Sequence, residues 1–418
     1  MRLYKQELLR IIKATRTRVV FVIATILSVL FAVLPLEFCD VNYLDDQGNT
    51  ISLHGAPALD YLKNSSEKGR GEATTEELKQ ALEKYQQLYA EYGVDPLGEI
   101  PLDVYWEKVQ PIRPLLRMLT QTYGAINDYV DQNTISLQEM NPETLDSFYS
   151  DCQDRLVKVM QSDDWLNKTN IIEKAQSIYS NVDVPFYVNN VYSRDAFDYI
   201  SFCLLFLVLF SAVLVAPVFS ERYHSGEDSV LRCTFYGDRR LVRTTILAYL
   251  TVVTMMYFLG IGLHLFVSDL IFGADTLRES IQVLYTVYSL PNTNLLEMQL
   301  ILAITGWISC IAVTSLSLGI SALSSESSTS MVLSLLIVFM PTLLYSVTGS
   351  VSWLLALFPS ASVGLSNNMM QSLVDLRFLT LGDRVFWYPS VLVVMPLAEL
   401  VVFWFCARIF YMKHQVTR

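Results

Sequence analysis

The chain has 418 residues, 52% of them hydrophobic and only 17% charged, and its formal net charge is −11. An ordinary globular chain carries roughly 25% charged residues, so the composition argues against a soluble enzyme and for a membrane protein. The acidity is local, since residues 41–195 hold 25 Asp and Glu against 13 Lys and Arg.

The first 18 residues pair Leu8, Ile11 and Ile12 with Arg10, Lys13 and Arg16, the pattern of a basic amphipathic helix lying along a membrane surface. A helix needs about 20 apolar residues to cross the hydrocarbon, and the first such run spans 19–40. It is longer than the apolar core of a secretory signal and has no small-x-small cleavage site, so it reads as a retained anchor.

Residues 41–195 are long enough for one independent core. Leu78, Ala81, Leu82, Tyr85, Leu88, Tyr89 and Tyr92 share a helical face, with Thr74 and Glu77 spaced as a capping box and Gly93 at the stop. A second helix follows Asn141-Pro142 and buries Leu145, Phe148, Tyr149, Cys152, Leu156, Val159 and Met160. A third is expected from Ser162, with Trp165, Ile171, Ile172, Ala175, Ile178 and Tyr179 inside, and 101–120 reads as a looser, proline-bearing segment. The domain is thus mostly helical. Its aromatic faces read as core, with a ligand groove as the other option. Of six single cysteines only Cys39 and Cys152 could meet outside the membrane, which leaves one disulfide open.

Residues 196–418 hold five further spans, at about 199–219, 246–267, 298–322, 331–348 and 391–410. Lys and Arg crowd the N-terminal segment, the 217–248 stretch and the C-terminus, whereas the other short loops offer only Arg278, Arg377 and Arg384. By the positive-inside rule both termini are cytoplasmic and the large domain is extracytoplasmic. Segments 268–297 and 351–388 are too apolar for free loops and too interrupted to span, as expected of re-entrant or interfacial helices at the outer edge. The fold class is therefore an all-α integral membrane protein of six spans, with a mostly helical extracytoplasmic domain between the first and second.

Between two spans the chain reads PVFSERYHSGEDSVLRCTFYGDRRLVRTTILA. Ser220 and Glu221 suit a helix start, Gly226 interrupts, and a second short helix over 228–235 would offer Val230, Leu231 and Phe235 to the cytoplasm, as a docking surface does. Tyr236-Gly237-Asp238 then turns toward arginines that meet the headgroups.

Chemistry of its own is hard to find in the chain. The histidines at 54, 224, 264 and 414 lack metalloprotease spacing, and no glycine precedes a lysine, so the ATPase phosphate loop is absent. Ser220, Glu221 and His224 lack an orienting acid and an oxyanion hole, and no catalytic residue is assigned. Within the spans Glu399 stands out: it is either a proton or cation site or a bundle-facing group, protonated or bonded to a hydroxyl such as Ser317 or Ser334. His264 reads as a hydrogen-bonded interior residue.

Phe219-Ser220-Glu221, Gly226, Leu231, Tyr236-Gly237 and Arg239, followed by the next span, resemble the coupling region of type-2 ABC exporter permeases. The six-span layout, the basic N-terminal helix, the large outside domain and Leu357-Phe358-Pro359-Ser360 in an outer segment are similar too. Arg243 with Thr244-Thr245, where relatives carry a lysine, and the intervening Asp238 depart from the pattern.

The resemblance implies a plasma-membrane permease coupled through loop 220–243 to a cytoplasmic ABC ATPase, paired with a second permease subunit in the lipid bilayer. ATP and magnesium would sit in the ATPase, no cofactor or metal would be bound directly, and no nucleic-acid partner is implied. Two other readings stay open: a signalling or mechanotransmission protein with an outside sensor, and an ion-coupled secondary transporter working through Glu399.

Overall fold

The computed structural model describes residues 2–44, 50–92, 104–125, 136–162, 168–233 and 239–414. It is mostly helical, and six helices are long and apolar enough to cross a membrane: Thr15–Phe38, Arg194–His224, Arg239–Phe272, Leu295–Leu323, Ser327–Tyr345 and Tyr388–Lys413. The chain is a multi-pass membrane protein.

Every span begins ahead of its apolar run. The third gains most, because Arg239, Arg240 and Arg243, expected in a loop, form its first turns. Arginine is a good helix former, and 34 residues at about 1.5 Å each make a rod of about 51 Å, well over the ~30 Å of hydrocarbon. Polar caps place other starts: Ser193 accepts from Ala196 N at 3.1 Å, and Asn294 and Glu297 form a reciprocal capping box at 2.9 and 3.1 Å.

The second and fourth spans form the centre of the bundle, with 72% and 67% of their most apolar stretches buried, against 28%, 22% and 17% for the first, fifth and sixth. Small residues let neighbours approach closely, as is usual between membrane helices. A Cβ on Gly306 would clash with Tyr257 Oη, and one on Gly319 would lie 3.8 Å from Ala407 Cα on the sixth span. The Tyr257 hydroxyl donates to Ala303 O at 2.8 Å.

The N-terminal helix is Arg2–Lys13, shorter than the expected 1–18, because Ala14 is extended and Thr15 already opens the first span. Its buried face carries Ile11 and, unexpectedly, Glu7, while Leu9 and Ile12 point outward. Tyr4 meets Thr251 of the third span, oxygen to oxygen, at 2.8 Å.

The inserted domain keeps the expected capping box, Glu77 N to Thr74 Oγ1 at 3.3 Å and Thr74 N to Glu77 Oε2 at 3.4 Å, ahead of helix Thr75–Tyr92. Leu78, Ala81, Leu82 and Leu88 are buried, but Tyr92 is exposed, and Gly93 lies outside the described residues. Asn141 accepts from Glu143 N, and the turn Pro142–Ser147 leads into helix Phe148–Ser162, whose Phe148, Cys152, Leu156 and Met160 are core.

The expected helix from Ser162 begins instead at Thr169, and Trp165 falls outside the described residues. The supposedly looser 101–120 segment contributes helix Arg113–Tyr123, with Pro114 in its first turn where proline has no amide to lose, and buries Leu115, Leu116, Met118 and Leu119. Cys39 and Cys152 are both free; the Cys152 thiol sits 3.4 Å from Thr122 Oγ1, and burial pushes its pKa up to about 12.

Short strands, not foreseen, trim the domain: Asp40–Leu44 pairs antiparallel with Thr50–His54, and Gly71–Glu72 with Tyr187–Val188. The loops that follow the third and fifth spans pack under it, since Val283, Val287, Leu290 and Phe378 share its core. They are only partly helical. After Phe272 come a 3-10 turn at Ala274–Arg278 and one helical turn at Ile281–Leu284. After the fifth span come 3-10 segments, helix Met369–Val374 and a hairpin, Phe378–Leu381 with Arg384–Trp387, turned by Gly382-Asp383. One end of the bundle thus carries the inserted domain, and the other carries helix Arg2–Lys13 and the end of the sixth span.

Candidate functional site

At the terminal end the second span breaks at Ala216–Phe219, then winds the helical turn Ser220–His224. Gly226, left-handed at φ 73°, reverses the chain into helix Glu227–Arg232. Most L-residues avoid that backbone region, and glycine enters it freely. The result is a two-helix bracket covering most of the stretch that separates the second and third spans.

Ser220 does not cap its helix. Its amide and that of Phe219 donate to Ser321 Oγ of the fourth span at 3.2 and 3.0 Å, and its own hydroxyl, fully buried, lies 3.4 Å from both Ser321 Oγ and Ser327 Oγ. The fourth span satisfies the amides that an N-cap would have served.

Arg222 is one of the basic residues of the 217–248 stretch that enter the positive-inside count. It is 4% exposed, and its Nη2 lies 2.6 Å from Glu7 Oε1 on the N-terminal helix. Arg10 closes the other side of the carboxylate through Nε at 2.9 Å and Nη2 at 2.8 Å, and Thr245 of the third span donates to Oε1 at 3.0 Å. Burial pushes the Glu7 carboxyl up, but the Arg10 hydrogen bond and the charges of Arg222 and Arg10 outweigh it and hold the group below its ordinary range.

The other arm is fixed as firmly. Asp228, 2% exposed, accepts from Arg232 Nε and from the Tyr411 hydroxyl, both at 2.6 Å. Arg232 then donates to Tyr411 O at 2.7 Å and His414 O at 3.1 Å, satisfying the last carbonyls of the sixth span. Tyr223 stacks on His414, with ring centroids 3.8 Å apart and planes 7° apart. The bracket is therefore tied to the N-terminal helix and to the third, fourth and sixth spans at once.

Outward it presents Glu221, His224, Ser229 and Val230, the last 70% exposed, with Leu231 half-buried beside them. Arg239 is exposed at the start of the third span, whereas Phe235, Tyr236 and Gly237 lie outside the described residues. Glu7, Asp228, Thr245 and Tyr411 were missed in the sequence. An acid at position 7 shares a helical face with Tyr4 and Ile11, and that was the available signal.

The intramembrane candidates stand apart from the bracket. His264 is 3% exposed, with Nδ1 3.2 Å from Ser28 O of the first span. Glu399 Oε2 and Ser334 Oγ are each buried without a hydrogen-bond partner, so of the options open for Glu399 a bond to the Ser334 hydroxyl is not formed. Among the described residues, no group of His, Cys, Asp or Glu could hold a metal ion. Set against protein families, curated proteins and solved structures, the chain finds no match in any of the three.

Proposed function

We propose that the chain is the membrane-spanning permease subunit of an ATP-driven ABC transporter, an exporter, whose ATPase is a separate cytoplasmic chain. Both termini and the 220–233 bracket lie in the cytoplasm of this plasma-membrane protein, and the inserted domain lies outside. A second permease subunit completes the pathway, and ATP with magnesium binds the partner.

The observation that carries this reading is the way the bracket is held. Glu221 and Val230 face outward, while Arg222, Asp228 and Arg232 join the same short segment to the N-terminal helix and the sixth span. A loop that merely linked two spans would not need buried charges, which are expensive to desolvate unless paired. A segment that receives a push from a partner and passes it to several spans does need them. That no phosphate-loop motif occurs in this sequence supports a separate chain as the nucleotide binder.

The test is affinity purification from native membranes, followed by ATP-hydrolysis assay and sequencing of co-eluting chains. A soluble partner carrying Gly-x-x-x-x-Gly-Lys-Ser/Thr should co-elute with wild type and be lost with Val230→Asp or Glu221→Arg. Wild-type protein free of any such chain, yet moving substrate in liposomes, would sink the proposal. The unpartnered Glu399 oxygen favours one alternative, ion-coupled transport. Transport that needs no ATPase and is abolished by Glu399→Gln would put that reading first.

A further inference from the structure

Between helix Thr169–Tyr179 of the inserted domain and the first turns of the fourth and sixth spans lies an open groove of about 530 Å³. Its apolar wall includes Ile178, Ile301, Trp387 and Val393, all half-buried, so each keeps surface open to the groove. Its polar rim carries Lys174, Ser177 and Ser390, all exposed. The wall comes mainly from the two spans and the strand that leads into the sixth, whereas Lys174 and Ser177 come from the inserted domain. Apolar and polar linings are thus separated along one groove.

Among the described lining residues Lys174 is the one that carries a charge, and no carboxylate lines the groove. Residues three and four apart on a helix are neighbours, and Ile171, Ser177 and Ile178 offer Lys174 no acid, while Glu173, next in sequence, lies off that face. The rim amides are already committed: Asn181 Nδ2 donates to Ser177 O at 2.9 Å, and Asn292 exchanges hydrogen bonds with Asp183 N and Oδ2 at 3.1 Å each. The Lys174 ammonium and the Ser177 and Ser390 hydroxyls have no protein partner among the described residues. All three can donate, and the only formal charge is positive.

Depth within the membrane fits the same division. Ile301 lies six residues beyond Leu295, where the fourth span begins, and Val393 five beyond Tyr388, where the sixth begins. At about 1.5 Å per residue they sit about 7–9 Å inside the helix ends, where the hydrocarbon starts, and Trp387 is of the type that favours the interface. From this arrangement we infer that the groove seats an anionic phospholipid of the adjoining leaflet, with an acyl chain against Ile301, Trp387 and Val393 and its phosphate at Lys174 and the serine hydroxyls. A soluble anion would leave the apolar wall unused, and a neutral hydrophobe would leave the lysine unpaired. The inference rests on the chain spanning a membrane and not on the transporter reading.

The experiment uses the full chain in phosphatidylcholine nanodiscs containing a minority of phosphatidylglycerol, with retained lipids counted by native mass spectrometry. Wild type should keep one phosphatidylglycerol after the remaining lipids are stripped. Lys174→Gln should weaken that retention about fivefold, the effect of one lysine on an anionic lipid, and Lys174→Arg should restore it. Phosphatidylglycerol carrying a photoactivatable group at the end of an acyl chain should label the peptides that hold Ile301 or Val393. Glycerol phosphate, the headgroup without its chains, should neither displace the lipid nor raise the unfolding temperature.

Ser177→Trp places a large ring in the mouth of the groove from an exposed position. It should unfold at the wild-type temperature, yet lose both the retained lipid and the label. The inference is overturned if wild type holds phosphatidylcholine as firmly as phosphatidylglycerol, or if Lys174→Gln retains lipid as wild type does. Label that falls away from both spans, or glycerol phosphate that displaces the lipid, overturns it equally.

Discussion

Arg222 Nη2 and Glu7 Oε1 are 2.6 Å apart, with side chains 5% and 10% exposed, and they join segments 215 residues apart in sequence. An ion pair so enclosed cannot lose one member cheaply, because the survivor is left charged and unpaired. Glu7→Ala should therefore destabilise the chain by about 3–5 kcal/mol. Arg222→Ala should cost less, because Arg10 and Thr245 still hold the Glu7 carboxylate, and the double variant should fall well short of the sum of the two. A double-mutant cycle read by thermal unfolding in detergent tests this, and additive losses would show that the pair is not coupled.

The Glu7 carboxyl is held below its ordinary range, so the pH dependence has a definite sign. Its stabilisation is fully present above the unfolded value of 4.5 and is lost as pH falls through the folded value. Wild-type protein should loosen its N-terminal helix on acidification below pH about 4.5, and Glu7→Gln should lack that transition. Hydrogen exchange over residues 2–13, or fluorescence from a dye on that helix, reports it.

Tyr411→Phe removes one hydrogen bond to Asp228 and leaves Arg232 in place. A hydrogen bond to a charged group contributes about 1.5–3 kcal/mol, so the loss should fall in that range. It should appear as faster amide exchange across Glu227–Arg232 and not across the spans. A change confined to the sixth span would show that the tyrosine packs without anchoring the bracket.

At Gly226 a Cβ would meet nothing within 4 Å, so any penalty is purely one of backbone conformation. At φ 73°, Gly226→Ala should cost about 1–2 kcal/mol. Gly226→Asn should cost less, since asparagine tolerates the left-handed region. Equal stability of all three would mean that the reversal between the two short helices is not fixed there.

The six spans were legible in the sequence because an apolar run of about 20 residues has few other uses. Their ends were not, because a helix continues through arginines or serines until something stops it, as Arg239–Phe272 does. The bracket's location was legible from Gly226 and the charges around it, but its wiring was not. Counting Lys and Arg by side treats Arg222 and Arg232 as equivalent to exposed arginines, whereas their roles are set by Glu7 and by Asp228 with Tyr411. The hairpin at Phe378–Trp387 did carry a signal, Gly382-Asp383 between two short β-prone runs, which the surrounding apolar sequence obscured.

Glu279 provides the remaining test, one that concerns stability alone. Burial pushes its carboxyl up to about 7, against the opposing pull of the Asn190 and Asn189 amides and the nearby Arg117 guanidinium. A carboxyl raised in the folded state keeps its proton where the unfolded chain, at 4.5, has lost it. Its contribution is therefore neutral below pH about 4.5, becomes increasingly destabilising up to pH about 7, and is constant above that. Glu279→Gln has no charge to bury, so the gap in stability between variant and wild type should widen across that window by up to about 3 kcal/mol. Unfolding measured at several pH values checks the slope, and a gap that stays constant with pH would show that the carboxyl is ionised at little cost in its buried place.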